Sequence, residues 1–188
     1  YSLNSREIEC KWQPSDNAKP VEMIKKKLAG NQLVIAYMRK VKAFKDFELK
    51  PQIKAKQSAK IFKPIARIDF EFSKNKVAFV YEVVRRNTDW EKKLIDRMKL
   101  WKDFYDNFVI GDSGFKNIPQ LVFVCEDDRH MAEVFRALVM NEVEIERINF
   151  YYTTDLYQND DELDKSLYDF VKENGKYKKR KIQAKILG

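Results

Sequence analysis

The clearest pattern in the chain lies between residues 65 and 86, IARIDFEFSKNKVAFVYEVVRR. Through Ile65–Phe72 the apolar residues Ile68, Phe70 and Phe72 alternate with Arg67, Asp69 and Glu71, the period of two that marks a strand with one buried face. Ser73-Lys74-Asn75-Lys76 supplies a short polar connection. Val77–Val84 then runs almost wholly apolar, β-branched or aromatic, as a central strand buried on both faces does. Glu82 alone breaks that run. A turn over residues 73–76 pairs Phe72 with Val77. Arg67 then lies opposite Glu82, with Asp69 one diagonal step away on the same face.

Before the hairpin, residues 1–19 are polar and weakly patterned. Pro20 suits the first turn of a short helix, VEMIKKKLAG, with Gly30 at its C′ position. Leu33, Val34, Ala36, Tyr37, Val41 and Phe44 fall at helical spacing and predict a second helix over Gln32–Phe47. Glu48–Lys54 reads as an edge strand, since Pro51 has no N–H for an interior ladder. Lys54–Lys63 reads as a lysine-rich link.

After Arg86 the period changes to 3.6. Thr88 and Glu91 have the spacing of a capping box, and Trp90, Leu94, Met98, Trp101 and Tyr105 form one stripe through about Asn107. Gly111 and Gly114 mark a loop. Pro119–Cys125 predicts a short buried strand. Asp127 or Asp128 can cap a helix to about Asn141, with Met131, Val134, Phe135 and Leu138 inward. Ile148–Thr153 is a further strand, Asp160–Asn174 a last helix ending at Gly175, and Lys176–Lys185 a basic tail. Together these elements predict an α/β domain, a mixed central sheet flanked by helices with the hairpin in its middle. The expected organisation is 1–19 as the remnant of a preceding domain or a linker, 20–175 as the α/β domain, and 176–188 as the tail.

Composition changes this picture in one direction. The chain of 188 residues carries a net charge of +8, which favours a polyanionic partner, nucleic acid before an anionic membrane surface. The excess is segmental. Lys25, Lys26, Lys27, Arg39, Lys40, Lys42, Lys54, Lys56 and Lys60 precede the hairpin, and Lys178, Lys179, Arg180 and Lys181 follow the last helix, while Glu142–Glu146 and Asp160–Asp164 stay acidic. Lysine-dominated tracts suit phosphate contacts, which position double-stranded DNA without reading its bases; they equally make a solvated surface. No apolar run approaches a membrane span, so a cytoplasmic protein without membrane insertion is expected.

With two cysteines far apart and one histidine, His130, a Cys/His zinc centre is excluded. His130 is expected as an exposed residue in a first helical turn. No Gly-rich phosphate loop, G-x-S-x-G or H-E-x-x-H is present, which removes nucleotide hydrolysis, serine chemistry and zinc-protease chemistry. The acids of the hairpin leave two alternatives open. Asp69 and Glu82 can hold Mg²⁺ for phosphodiester hydrolysis, with Lys93 or Arg97 as the positive group beside it. Or Arg67, Asp69 and Glu82 form a structural ion-pair cluster.

The order of Asp69 in RIDFEF, Glu82 in YEVVRR, the helix TDWEKKLIDRMKLWKDFY, then PQLVFVCEDDRHMAEVF and INFYYTTDL resembles the plasmid replication-relaxation family of bacterial mobile elements. Members carry a winged-helix DNA-binding domain before this region, and YSLNSREIE resembles the last strand of such a wing. The resemblance implies a restriction-endonuclease-like, PD-(D/E)XK core, with Asp on one strand and Glu-x-Lys on the next. Asp69 and Glu82 match the two metal-binding acids. Val84 stands in the place of the lysine, which implies a catalytically degenerate core. The expectation is therefore a DNA-binding protein of a plasmid or conjugative element, acting in replication, mobilisation or their control. It would have no cofactor, and would partner duplex DNA, a second copy or replication and mobilisation proteins. The alternatives are a Mg²⁺-dependent nuclease using Asp69 and Glu82, and a protein-interaction domain.

Overall fold

The computed structural model describes residues 20–72, 75–155 and 167–182. The expected remnant at 1–19, the turn residues Ser73 and Lys74, the start of the last expected helix and the end of the basic tail lie outside them. The described chain is α/β, with a seven-stranded mixed sheet between three helices. Its first helix, α1, is Val21–Lys40, and β1 is Phe44–Leu49. A two-stranded ribbon follows, β2 Ile53–Lys54 and β3 Ile61–Phe62. The predicted hairpin is β4 Ala66–Phe72 and β5 Asn75–Val83, and α2 is Trp90–Asp106. After it come β6 Gln120–Cys125, α3 Asp128–Met140 and β7 Phe150–Thr154, then β8 Tyr168–Glu173 and β9 Lys176–Lys181.

The sheet order is β1-β4-β5-β6-β7-β8-β9. β5, β6 and β7 run parallel, and the remaining neighbours pair antiparallel. β5 is central because it can be buried on both faces. Phe79, Tyr81 and Val83 pack with Leu33, Val34 and Tyr37 of α1. Ala78, Val80 and Val84 pack with Leu94, Met98, Trp101 and Tyr105 of α2. The ribbon joins the second face. Phe62 meets Trp101 edge-on at 4.8 Å, and Asp103 of α2 accepts the backbone N–H groups of Gln57 and Ser58, each at 2.9 Å.

Several expectations are corrected. Gly30 does not end a helix, because α1 runs through it. A Cβ there would stand 2.5 Å from Cγ1 of Ile65, so the glycine serves close packing inside the helix. The second expected helix contributes only its first half, and Phe44–Leu49 is the edge strand β1. Lys54–Lys63, expected as a link, forms most of the ribbon. The Thr88–Glu91 capping box does not form, and α2 begins after Asp89 at φ 62° with no side-chain cap bond. At α3 the cap is Asp127, whose Oδ1 accepts the His130 N–H at 2.7 Å.

The largest correction is at the C-terminal end. Residues 168–173 are a strand, and the stretch expected to open a basic tail is β9. Glu173 pairs with Lys176 across a two-residue turn, and Asn174 and Gly175 have φ 51° and 78°. A two-residue hairpin turn of this kind favours Asn-Gly, which tolerate positive φ.

Candidate nucleic-acid interface

Glu82 is the one buried charged residue of β5, on the strand face that packs against α2. Its side chain is buried, at 8% residue exposure. The stripe that buries Leu94, Met98 and Trp101 also places the Trp101 indole N–H 2.8 Å from Oε1 of Glu82. One turn earlier on the same helix, Arg97 Nε approaches the same oxygen at 3.1 Å. Arg97 is itself held by the carbonyl of Lys63 at 3.2 Å and lies over the Phe62 ring. Burial pushes the Glu82 carboxyl above its ordinary value, against the smaller opposing effects of Arg97, Trp101 and Lys26.

Around Glu82 is a pocket at the C-terminal end of β5, lined by Lys26, Glu82, Val83, Val84, Arg85, Asn87, Trp90, Lys93, Leu94 and Arg97. Open α/β sheets characteristically bind ligands beyond the carboxyl ends of their parallel strands. Four cations and one carboxylate line this one, but the cations are not equivalent. Lys26 is paired to Glu22 at 2.8 Å, and Glu22 is held below the usual carboxylate range mainly by that lysine. Arg85 is buried against Asp155, 2.9 Å away, and the carbonyls of Val84 and Val124. Lys93 donates to two neutral acceptors, the Thr88 carbonyl at 3.1 Å and Asn87 Oδ1 at 3.5 Å. Lys93 also acts through space on Glu22, the acid bonded to Lys26 and Asn87, so the two lysines share one carboxylate.

Asp69 lies elsewhere. It pairs across the sheet with Asp46 of β1 and Ala78 of β5, and its Oδ1 accepts Arg67 Nε at 2.8 Å. Arg67 also reaches the Gly114 carbonyl and covers the Phe115 ring at 4.4 Å. The residue opposite Arg67 is Val80, so the expected Arg67–Glu82 ion pair does not form. The hairpin is closed two residues tighter than expected, with Phe72 against Asn75. Glu82 lies four residues beyond Ala78 on β5, roughly 13 Å along the strand from the level of Asp69.

The two acids are therefore not brought together. Nor does the hairpin supply Glu82 with another carboxylate: Ile65, next before β4, turns to pack against Gly30. In the lysine position, Val84 is buried in the α2 core. Mg²⁺ prefers several oxygen ligands. It finds one carboxylate here, already engaged by an indole N–H and a guanidinium, so the residues do not fit the metal. Among the described residues, no group of three or more His, Cys, Asp or Glu side chains is placed to hold a metal ion.

Of the cations expected to contact nucleic acid, Lys26 reaches this pocket; Lys93 and Arg97, expected as the positive group for hydrolysis, also line it, and Arg97 alone meets Glu82. Lys25 and Lys27 share the first half of α1, while Arg39 and Lys40 are in its last turn, about 20 Å further along. Lys42 follows the helix. Lys54, Lys56 and Lys60 belong to the ribbon region, with Lys56 bound to Asp112 at 2.7 Å. On β9, Lys178 pairs with Glu173, Lys179 with Asp128 and Arg180 with Asp169, and Lys181 ends the strand. One-dimensional clustering thus becomes several separate places, some internally neutralised.

Sequence reasoning missed Asn87 and Arg85 at the pocket. Arg85 was visible only as half of an Arg-Arg pair, and its burial depends on Asp155, seventy positions away. His130 is a further correction. It is fully buried, its Nδ1 accepts the Glu126 N–H at 3.2 Å, and its ring meets Trp90 edge-on. Burial pushes its pKa down, which keeps the imidazole neutral.

Comparison with protein-family models, with curated proteins and with solved structures finds no match. No described helix is long and apolar enough to cross a membrane.

Proposed function

We propose that this domain binds nucleic acid through its phosphates, on a nuclease-like scaffold that leaves the strand uncut. The observation that carries this reading is the pocket at the end of β5. Lys26, Lys93 and Arg97 line it together with a single carboxylate, Glu82, without the second acid or the lysine that hydrolysis would use. What supports the resemblance to a PD-(D/E)XK core is the mixed sheet alone, because Asp69 and Glu82 stand too far apart along the hairpin to share a metal. Val84 supports its degeneracy. By the same resemblance, the biological setting is replication, mobilisation or their control on a plasmid or conjugative element, with duplex DNA as the partner.

The test is electrophoretic mobility shift of linear duplex DNA across 50–300 mM salt. Affinity is expected to fall steeply with salt, by about one power for each phosphate neutralised. The double substitution of Lys26 and Lys93 by glutamine is expected to weaken binding and flatten that slope. The same DNA incubated with Mg²⁺ or Mn²⁺ is expected to stay intact. Affinity indifferent to salt overturns the binding reading, and metal-dependent nicking lost in Glu82→Gln overturns the uncut strand.

A further inference from the structure

The pocket beside Glu82 is on the scale of one unit of a nucleic-acid strand. It leaves about 160 Å³ to the centres of water molecules. One water takes about 10–15 Å³ on that measure, so the space holds on the order of ten waters, roughly 300 Å³ of liquid, at the lower end of small-molecule sites. That is room for one nucleotide. Its lining is also divided as one nucleotide would require. Trp90, Leu94 and Val84 give an apolar wall, while Lys26 on α1 and Lys93 on α2 supply cations from two different helices. Glu82 lines the space between as an acceptor.

We propose that this pocket receives a single unpaired nucleotide, a nucleoside 5′-monophosphate unit. Its phosphate lies between Lys93 and Lys26, and its base lies against Trp90. This rests on the nucleic-acid reading above and narrows it. Lys93 is the main phosphate anchor, because the acceptors it bonds are neutral and Glu22 acts on it only through space, whereas Lys26 is bonded to Glu22 directly. Lys26 must share its charge with Glu22 and contributes less. The aromatic wall is tolerant of base identity, since every base has a face to stack, while the Glu82 carboxylate favours a base edge or sugar that offers N–H or O–H.

The test is titration of the 188-residue chain with dAMP, deoxyadenosine and inorganic phosphate, followed by calorimetry and tryptophan fluorescence. dAMP is expected to bind at least ten-fold more tightly than either fragment. Lys93→Gln is expected to remove most of that advantage and Lys26→Gln a smaller part. The two lysines project from different helices, so a folding defect in one variant leaves the other informative. A 5′-phosphorylated single strand that binds more tightly than dAMP identifies a strand end as the source, and equal affinity a free nucleotide; either outcome supports the site. If dAMP binds no better than inorganic phosphate, or both lysine variants bind like the parent, the proposal falls. Salt-dependent duplex binding without dAMP binding overturns this inference alone. Loss of both overturns the reading beneath it as well.

Discussion

At one end of the β4–β5 hairpin, Glu82 is sunk beneath α2, with an indole and a guanidinium on the same oxygen. At the other end, on the same face, Asp69 keeps 31% of its side chain exposed and holds Arg67 at 2.8 Å. Both are carboxylates beside arginine on neighbouring strands. What separates them is the helix overhead. Around Glu82, α2 removes water, and the desolvated carboxyl is pushed up despite its partners. At Asp69, water competes with the ion pair, and a solvent-screened pair contributes little. The lesson concerns function. A buried acid kept in an apolar strand at such a cost is a feature to explain, and the pocket it floors is the site proposed above. The exposed acid is explained by its neighbour.

The comparison breaks most decisively at Trp101. It is fully buried, stacks on Tyr105 and packs edge-on against Phe62 and Phe104. Trp101→Ala is expected to cost about 3–5 kcal/mol, for the cavity it leaves and the hydrogen bond it removes. Urea denaturation measures this. A loss under 1 kcal/mol would mean that Glu82 does not depend on the helix above it.

A second, smaller effect is the pH dependence that the buried acid imposes. Its folded pKa is raised, so the folded state holds its proton more tightly than the unfolded chain does. The stability Glu82 contributes is present below the model-peptide value of 4.5 and is lost as pH rises through the folded value. Glu82→Gln removes that loss. The difference in urea midpoint between Glu82→Gln and wild type is expected to move in favour of the variant between pH 4.5 and pH 8. A difference that stays flat or runs the other way would show that Arg97 and Trp101 outweigh burial.

The smallest effect is expected at Asp69. Asp69→Asn should change stability by less than about 1 kcal/mol, because the Arg67 pair is partly exposed and Arg67 retains the Gly114 carbonyl and the Phe115 ring. Thermal melting measures it. A shift as large as that of Trp101→Ala would erase the contrast between the two ends.

Much of the hairpin was legible in the chain, and the reason lies in its period. The closure was misjudged by two residues, yet Arg67, Asp69 and Glu82 were assigned to one face correctly, since a shift of two leaves every side chain on its side of a strand. The distance between Asp69 and Glu82 enjoys no such protection, and the supposed metal pair dissolved with the register. Local chemistry decided Asp127 at α3, where a cap needs only its own turn. It failed at Gly30, where packing against Ile65 overrides a stop signal, and at His130, whose burial comes from Trp90 forty positions earlier. Asn174-Gly175 was a turn signal in plain view. Helical spacing over Asp160–Asn174 competes with it, and the pairing of β8 with β9 decides for strand–turn–strand.

Gly30 has one more consequence, in the reach of α1. Glycine costs about 1 kcal/mol in a helix interior relative to alanine, and here it lets the helix axis settle against Ile65. Lys26 lies four residues, one turn, before it on the same helix. The missing methyl therefore acts as a spacer of fixed thickness between helix and sheet, and Gly30→Ala would lift that part of α1 by pressing on Ile65. Lys26 would move with the helix, so a residue outside the pocket would set its width.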